Sequence, residues 1–270
     1  MLAEIIIFYI GTFLLGSIFG SFACCQAWRI HEKCAGKKLG QRSICMHCHH
    51  QLTWYDNIPL LSWLSLRGKC RYCKAKIGFS EILSELGLGL TFLVFIYKFI
   101  SPYLQSGSLI SLLNLPTSTL AQLVILLVAF IIFWILLIYD AKWGELPVAL
   151  MIAAIILATF YQFLNTPNWL QVLFSTSFLA GIYYLLYFFS KEQLVGGGDW
   201  ILCLSIGIML GHFELAIVEL FFSNFAASIA GIPQIITGKR HPIPFGPFLI
   251  LAMIAILITS DYLLKFLIFY

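Results

Sequence analysis

Eight apolar runs, most of them near 20 residues long, divide the chain at about 2–27, 81–100, 119–139, 146–164, 169–190, 200–211, 213–236 and 245–268. A helix rises about 1.5 Å per residue, so roughly 20 such residues cross the apolar core of a bilayer. The pattern predicts an all-α polytopic membrane protein of about eight transmembrane helices. Composition closes the soluble alternative. Of the 270 residues, 61% are hydrophobic and 10% are charged, whereas about a quarter of a soluble domain is charged. A single soluble core of this size could not hide so much apolar surface. The sixth run is the shortest, and Gly211, His212 and Glu214 mark a weak break between it and the seventh.

Charge gives these spans an orientation. The first basic residue is Arg29. A cleavable signal carries its positive charge before the apolar run, so the first run is expected as a retained span, and 21-SFAC-24 is not expected as a lipoprotein cleavage site. Residues 29–80 hold 10 of the 16 basic residues and two acids, Glu32 and Asp56. A basic loop can serve nucleic acid. The excess of basic residues in cytoplasmic loops explains it more simply, and no nucleic-acid partner is expected. With that loop inside and the N-terminus outside, Lys142, Lys191, Lys239 and Arg240 also fall inside, which makes 14 of 16. The expected division is a first transmembrane helix at 1–28, a cytoplasmic loop domain at 29–80, and a transmembrane domain at 81–270.

The same orientation levels two acids at the inner side. Asp140 ends the third run in 138-IYDAKWGELP-147, and Asp199 begins the sixth in 196-GGGD-199. Ionisable groups at membrane depth are costly and seldom idle. Two carboxylates brought together share a proton, and such a pair can activate water and protonate a carbonyl without metal or covalent intermediate. Taken singly, Asp199 would be a helix cap and Asp140 an interfacial loop acid. As a pair at matched depth they are candidate catalytic residues. Gly196, Gly197 and Gly198 lack Cβ and let a substrate strand approach closely.

The loop contributes a second signal. It reads 45-CMHC-48 and, after 21 residues, 70-CRYC-73. Cys45, Cys48, Cys70 and Cys73 at that spacing predict a structural zinc site closed by four thiolates. Disulfides are the rival, but a cytoplasmic loop stays reduced. His47, His49 and His50 lie beside the first knuckle and could replace a thiolate. Cys24, Cys25, Cys34 and Cys203 read as small apolar fillers.

These residues carry a resemblance. The stretches 20-GSF-22, 45-CMHC-48, 56-DNIPLLSWLSLRGKCRYC-73, Asp140, 196-GGGD-199 and 244-PFGPFL-249 resemble the type IV prepilin peptidase family over nearly the whole chain. The block from Asp56 to Cys73 is the specific part, since presenilin-like intramembrane proteases share GxGD and 139-YD-140. The resemblance implies an aspartic endopeptidase of the bacterial cytoplasmic membrane, cutting basic leaders from prepilins or pseudopilins on the cytoplasmic side. It implies Asp140 and Asp199 as the catalytic pair, and Pro244, Phe245 and Gly246 as support for the site. It implies pilus or pseudopilus assembly machinery and the lipid bilayer as partners. Some members N-methylate the new terminus with S-adenosylmethionine, with the cytoplasmic loop involved. The chain departs from the family where many relatives keep Lys two residues after the GxGD aspartate, because Ile201 stands there. It also has Met46 after the first knuckle cysteine, Ala23 and Cys24 after 20-GSF-22, and no proline just after Arg29.

Two other readings stay open on sequence alone. One is a presenilin-like protease with other substrates. The other is a zinc-stabilised transporter or assembly scaffold without enzymatic activity. A transporter calls for repeated halves or broken helices near the midplane, and no clear internal repeat is present.

Overall fold

The computed structural model describes residues 2–36, 43–45, 47–106, 115–165, 168–190, 195–237 and 243–269. It divides into two compact units, Met1–Pro116 and Thr117–Tyr270.

The first unit pairs two long helices, α1 (Leu2–Cys34) and α3 (Phe79–Ile100), and carries the loop between them. The loop holds two cysteine knuckles, a 3-10 turn at Trp54–Asn57 and a short helix α2 (Leu61–Ser65). Lipid tails are as apolar as leucine, so membrane helices associate mainly by close packing of small residues. Here 16-GSIFG-20 supplies them. A Cβ on Gly16 would lie 2.7 Å from the Leu88 carbonyl oxygen, and one on Gly20 would strike the Ser84 carbonyl. The Ser84 hydroxyl donates to the Gly20 carbonyl at 3.0 Å across this contact. The opposite face of α1 exposes Ile6, Ile7, Ile10, Leu14 and Ile18, as a lipid-facing stripe should. Gly20→Val therefore forces the two backbones apart. The expected cost is about 1–3 kcal/mol, read as a lower melting temperature of the detergent-solubilised protein.

The described residues of the second unit form six helices: α4 (Thr117–Trp143), α5 (Val148–Leu164), α6 (Trp169–Ser190), α7 (Asp199–Leu210), α8 (Phe213–Thr237) and α9 (Gly246–Phe269). Each apolar run of the sequence forms a helix. Among the described residues six helices are long and apolar enough to cross a membrane, while α5 and α7 are shorter, at 17 and 12 residues. The chain is a multi-pass, all-helical membrane protein, and of the about eight expected transmembrane helices six of the described ones have full spanning length.

Helix α7 is short because it is internal. It packs against α5, α6, α8 and α9, and buries Leu202, Cys203, Ile206, Gly207, Met209 and Leu210. Its approach to α6 needs a glycine, since a Cβ on Gly207 would lie 2.6 Å from the Cα of Thr176. Its last carbonyls need partners. The Gln162 side-chain amide of α5 donates to Ile208 and Met209 at 2.8 and 3.0 Å. Gly211 then turns the chain in the left-handed region, at φ +69°, and α8 begins at Phe213. The weak sequence break at Gly211 and His212 is a true helix end.

Candidate active site and cysteine cluster

Asp140 lies in the last turn of α4, where the Gly144 N–H donates to its backbone carbonyl at 2.8 Å. Gly144 closes the helix at φ +66°, a conformation that suits a residue without Cβ. Pro147 then starts α5 as its N-cap residue, ending the turn around the aspartate.

Asp199 is the first residue of α7. Its Oδ2 accepts the Gly196 N–H at 3.0 Å, while its own N–H donates to the Gly196 carbonyl at 3.1 Å. The 196-GGGD-199 stretch is therefore a small closed loop tied to its own carboxylate. Its glycines are sterically required at one point in particular: a Cβ on Gly198 would lie 2.9 Å from that of Leu146. Gly197 lies against the Tyr187 ring, which a Cβ would meet at 3.4 Å.

Asp140 is held in the same manner. The Gly246 N–H, at the start of α9, donates to its Oδ2 at 2.8 Å. A Cβ on Gly246 would stand 2.8 Å from that oxygen. Phe245, next in line, packs on the fully buried Tyr183 with ring centroids 5.5 Å apart. Pro244 leads into this turn. Asp140 and Asp199 are 5% and 7% exposed, and lie within electrostatic range of each other. Each spends one oxygen on a glycine amide, and the described residues give neither Oδ1 a hydrogen bond. The two acids of the sequence reading are thus brought together, with glycines from two further segments around them. Ile201 sits two residues into α7 and is half-buried.

Gly246→Ala tests this tether. The added methyl pushes the Asp140 carboxylate aside, and a misplacement near 1 Å costs a site roughly 10–100-fold. The expected result is that loss in substrate cleavage by the purified variant, with its melting temperature little changed.

One further buried acid near this pair was not expected to belong with it. Glu219 on α8 is 0% exposed and neither of its oxygens has a hydrogen-bond partner among the described residues. Cys203, one turn beyond Asp199, lies within electrostatic range of both Asp199 and Glu219. A lone acid in an apolar run is the signal that could have marked it.

In the first unit the four knuckle cysteines converge. The sulfurs of Cys45, Cys48, Cys70 and Cys73 lie within 4.8 Å of one another, and Cys45 and Cys73 are 3.9 Å apart. A tetrahedral zinc with bonds near 2.3 Å places its sulfurs about 3.8 Å apart, so this set fits the ion. The two knuckles repeat one geometry. The N–H groups of His49 and Lys74 donate to the carbonyls of Cys45 and Cys70 at 2.9 and 3.0 Å. His49 and Lys74 both have positive φ, at 55° and 59°. Cys45 and Cys70 then donate to His50 and Ala75 at 2.9 and 2.8 Å. None of the neighbouring histidines joins the sulfur group, and the His50 ring lies tilted against Tyr72 instead, with centroids 3.7 Å apart. Met46 lies outside the described residues.

Asp56 ties the 3-10 turn to the second knuckle. It accepts the Thr53 hydroxyl at 2.6 Å, the Arg71 Nε–H at 2.7 Å and the Tyr72 hydroxyl at 3.2 Å. Burial opposes its ionisation, but the Thr53, Arg71 and Tyr72 hydrogen bonds prevail and hold the carboxyl down to about 2. A carboxyl lowered on folding stabilises the fold above its unfolded value near 3.9 and loses that contribution as pH falls towards 2. Asp56→Asn should therefore lower the melting temperature by a constant amount between about pH 5 and 8, with the difference shrinking only below about pH 4. Thermal scans of both proteins across that range check it.

The fold and these two groups define a class: an all-helical, multi-pass membrane protein with a buried acid pair and a four-cysteine loop. The chain belongs to the Type IV leader peptidase family, which it matches over residues 127–260, and it carries a Bacterial Peptidase A24 N-terminal domain over residues 14–99. It is similar to the prepilin leader peptidase/N-methyltransferase of Aeromonas hydrophila, with 34% identity over 84% of this chain and 76% of the relative. Its likeness to the protein of that name from Vibrio cholerae is 28% identity over 90% of this chain and 93% of the relative. An Escherichia coli relative at 32% identity, covering 79% of this chain and 74% of itself, is described as a type 4 prepilin-like proteins leader peptide-processing enzyme. No solved structure matches the chain. The resemblance drawn from the sequence motifs is borne out, and the protein is a peptidase-family enzyme rather than a scaffold or transporter.

Proposed function

We propose that the chain is a two-aspartate endopeptidase that removes short basic leaders from prepilins or pseudopilins at the cytoplasmic face of the membrane. The observation that carries this reading is the paired setting of Asp140 and Asp199. Both are buried, both are anchored through one oxygen by a glycine amide, and both keep the other oxygen for reaction. Two carboxylates so close share one proton. The ionised member takes a proton from a water molecule, which attacks the scissile carbonyl carbon. The protonated member gives its proton to the carbonyl oxygen. On collapse of the tetrahedral adduct the C–N bond breaks, the leaving amine takes up the proton held by the first carboxyl, and one hydroxyl of the adduct returns its proton to the second as the carbonyl reforms. The glycine amides keep the carboxylates oriented without a reorganisation cost at the moment of reaction.

The charge pattern supports the cytoplasmic side, since ten basic residues crowd the loop at 29–80. Zinc on Cys45, Cys48, Cys70 and Cys73 would hold that loop's shape. The name of the Aeromonas and Vibrio relatives adds N-methyl transfer, which would act on the α-amine that cleavage frees and would draw on S-adenosylmethionine. Pilus or pseudopilus assembly machinery would take up the product.

The test is cleavage by the purified chain in lipid nanodiscs of a pseudopilin carrying its leader, read by mass spectrometry. A single cut at the end of the basic leader is expected. Cuts within the apolar stem, or cleavage of unrelated single-span proteins alone, would replace this reading with a presenilin-like one.

A further inference from the structure

The two cysteine knuckles share a backbone but not a charge. Each turn is closed by an antiparallel bridge, Ile44 opposite Gln51 in the first and Lys69 opposite Lys76 in the second. The second bridge is bracketed by two hydrogen bonds. The Cys70 N–H donates to the Ala75 carbonyl at 2.8 Å, and the Ile77 N–H donates to the Gly68 carbonyl at 2.7 Å. Residues so placed form a non-hydrogen-bonded pair, the kind whose side chains stand closest. Two lysines directly opposite there repel each other. The first knuckle builds the same turn with an isoleucine and a glutamine, so the turn itself does not call for lysines.

Arg67, Lys69, Lys74 and Lys76 are all exposed, and the described residues give none of them an acidic partner. Asp56 is committed to Arg71, Glu85 accepts the Leu60 N–H at 2.7 Å, and Glu81 has a partner of its own. Four thiolates on one zinc ion would leave two negative charges, fewer than these four cations. The same surface is apolar beside the cations. Leu61 and Leu64 of α2 are 64% and 59% exposed, and Phe79 at the start of α3 is 71% exposed. Trp63 binds these parts into one body. Its ring lies 5.6 Å from that of Phe79. Gly68, whose carbonyl helps close the lysine bridge, packs on the other part of the indole, where a Cβ would come within 2.9 Å. Phe79 also begins an exposed stripe on α3 that continues through Leu83, Leu86 and Leu90. That spacing keeps one helical face, and α3 is long and apolar enough to cross the membrane, so the stripe faces lipid. Phe79 therefore stands where the bilayer begins, and Trp63 joins it to α2 and to the lysine bridge.

We propose that α2 and the second knuckle dock on the bilayer surface and bind anionic phospholipid. Leu61, Leu64 and Phe79 enter the boundary of the acyl chains, while Arg67, Lys69, Lys74 and Lys76 take the phosphodiester headgroups. Apolar side chains set among cations make an interfacial anchor, and an anionic leaflet supplies partners for both at once. A phosphodiester between Lys69 and Lys76 turns their repulsion into two attractions. The basic leader of the proposed substrate would be repelled by the same lysines. The inference does not depend on the peptidase reading, because none of these residues belongs to the aspartate site.

The experiment reads protection of the loop rather than turnover. The full-length, zinc-loaded chain is placed in nanodiscs of phosphatidylcholine or of phosphatidylglycerol, and amide hydrogen exchange is followed by mass spectrometry. Each cation at an anionic leaflet multiplies the docked population about fivefold. Amides of α2 and the second knuckle should therefore exchange at least ~10-fold more slowly in phosphatidylglycerol. Lys69→Gln with Lys76→Gln should lower the docked population about 25-fold and remove most of that slowing. Leu61→Ser with Leu64→Ser should speed exchange of the same amides in both lipids. Zinc content reports whether each variant keeps its knuckles folded. If the leucine variant loses zinc, the lysine variant decides alone. Equal exchange in the two lipids, or a zinc-loaded lysine variant that keeps the slowing, overturns the proposal. Soluble glycerophosphoglycerol is added to the phosphatidylcholine nanodiscs as a further arm. Slowing by that compound also overturns the proposal, because the cations would then hold a free phosphodiester and not the membrane.

Discussion

Asp140→Asn and Asp199→Asn chains should each insert, hold zinc, and cleave a prepilin-like substrate at least ~1000-fold more slowly than the parent. One positioned acid or base is worth about 10²–10⁴-fold, and each substitution also breaks the proton sharing on which its neighbour depends. Asparagine can still accept the Gly246 or Gly196 N–H through its amide oxygen, so the glycine tethers survive. What is lost is the capacity to carry a proton. Because the two residues act as one unit, the double variant should be no worse than either single one. Single-turnover assays with a radiolabelled pseudopilin measure all three. Cleavage at the parent rate by both single variants would remove the pair from the mechanism. The parent should show a bell-shaped dependence of kcat/KM on pH, since one carboxyl must be ionised while the other keeps its proton.

The second large effect concerns the cysteines. The purified chain should carry close to one zinc per molecule, and Cys45→Ser with Cys48→Ser should carry none. Structural zinc contributes about 10–16 kcal/mol to the folding of small modules, far more than a short loop gains from its own packing. The loop here has little else to rely on. It has no strand, one five-residue helix, and isolated bridges at Ile44–Gln51 and Lys69–Lys76 among its described residues. Without the ion, the four thiols sit in conflict. The Cys73 N–H helps pull Cys70 down to about 7. The Ala75 N–H favours a Cys73 thiolate, yet burial and the sulfurs of Cys48, Cys70 and Cys45 push Cys73 up to about 11. A divalent cation removes that repulsion. Metal analysis and limited proteolysis of the loop test the expectation. A parent protein free of zinc, or a variant whose loop resists protease like the parent's, would refute the four-thiolate site.

Much of this was legible in the chain, and the reason is physical. Runs of apolar residues can satisfy their backbone only as helices in a bilayer, so a helix appears at each of the eight apolar runs. The two aspartates stood out because acids at membrane depth are rare, and the cysteines because CxxC spacing has few other uses. Span number was harder. Helix α7 is apolar because it is buried among other helices, and hydropathy cannot separate a helix hidden in protein from one facing lipid. Glu85, in the first turns of α3, reads locally as a favourable end charge. Its contact with Leu60 spans 25 residues and follows no local rule. Glu219 was passed over because its neighbours come from other helices.

The bond from Gly246 to Asp140 joins residues 106 apart. During synthesis, α4 emerges from the ribosome long before the start of α9 exists. Until residue 246 has been made and threaded into place, Asp140 has no amide to fix its carboxylate. A nascent chain therefore passes through the translocon with its proposed cutting centre incomplete. The arrival of α9 completes the setting of Asp140.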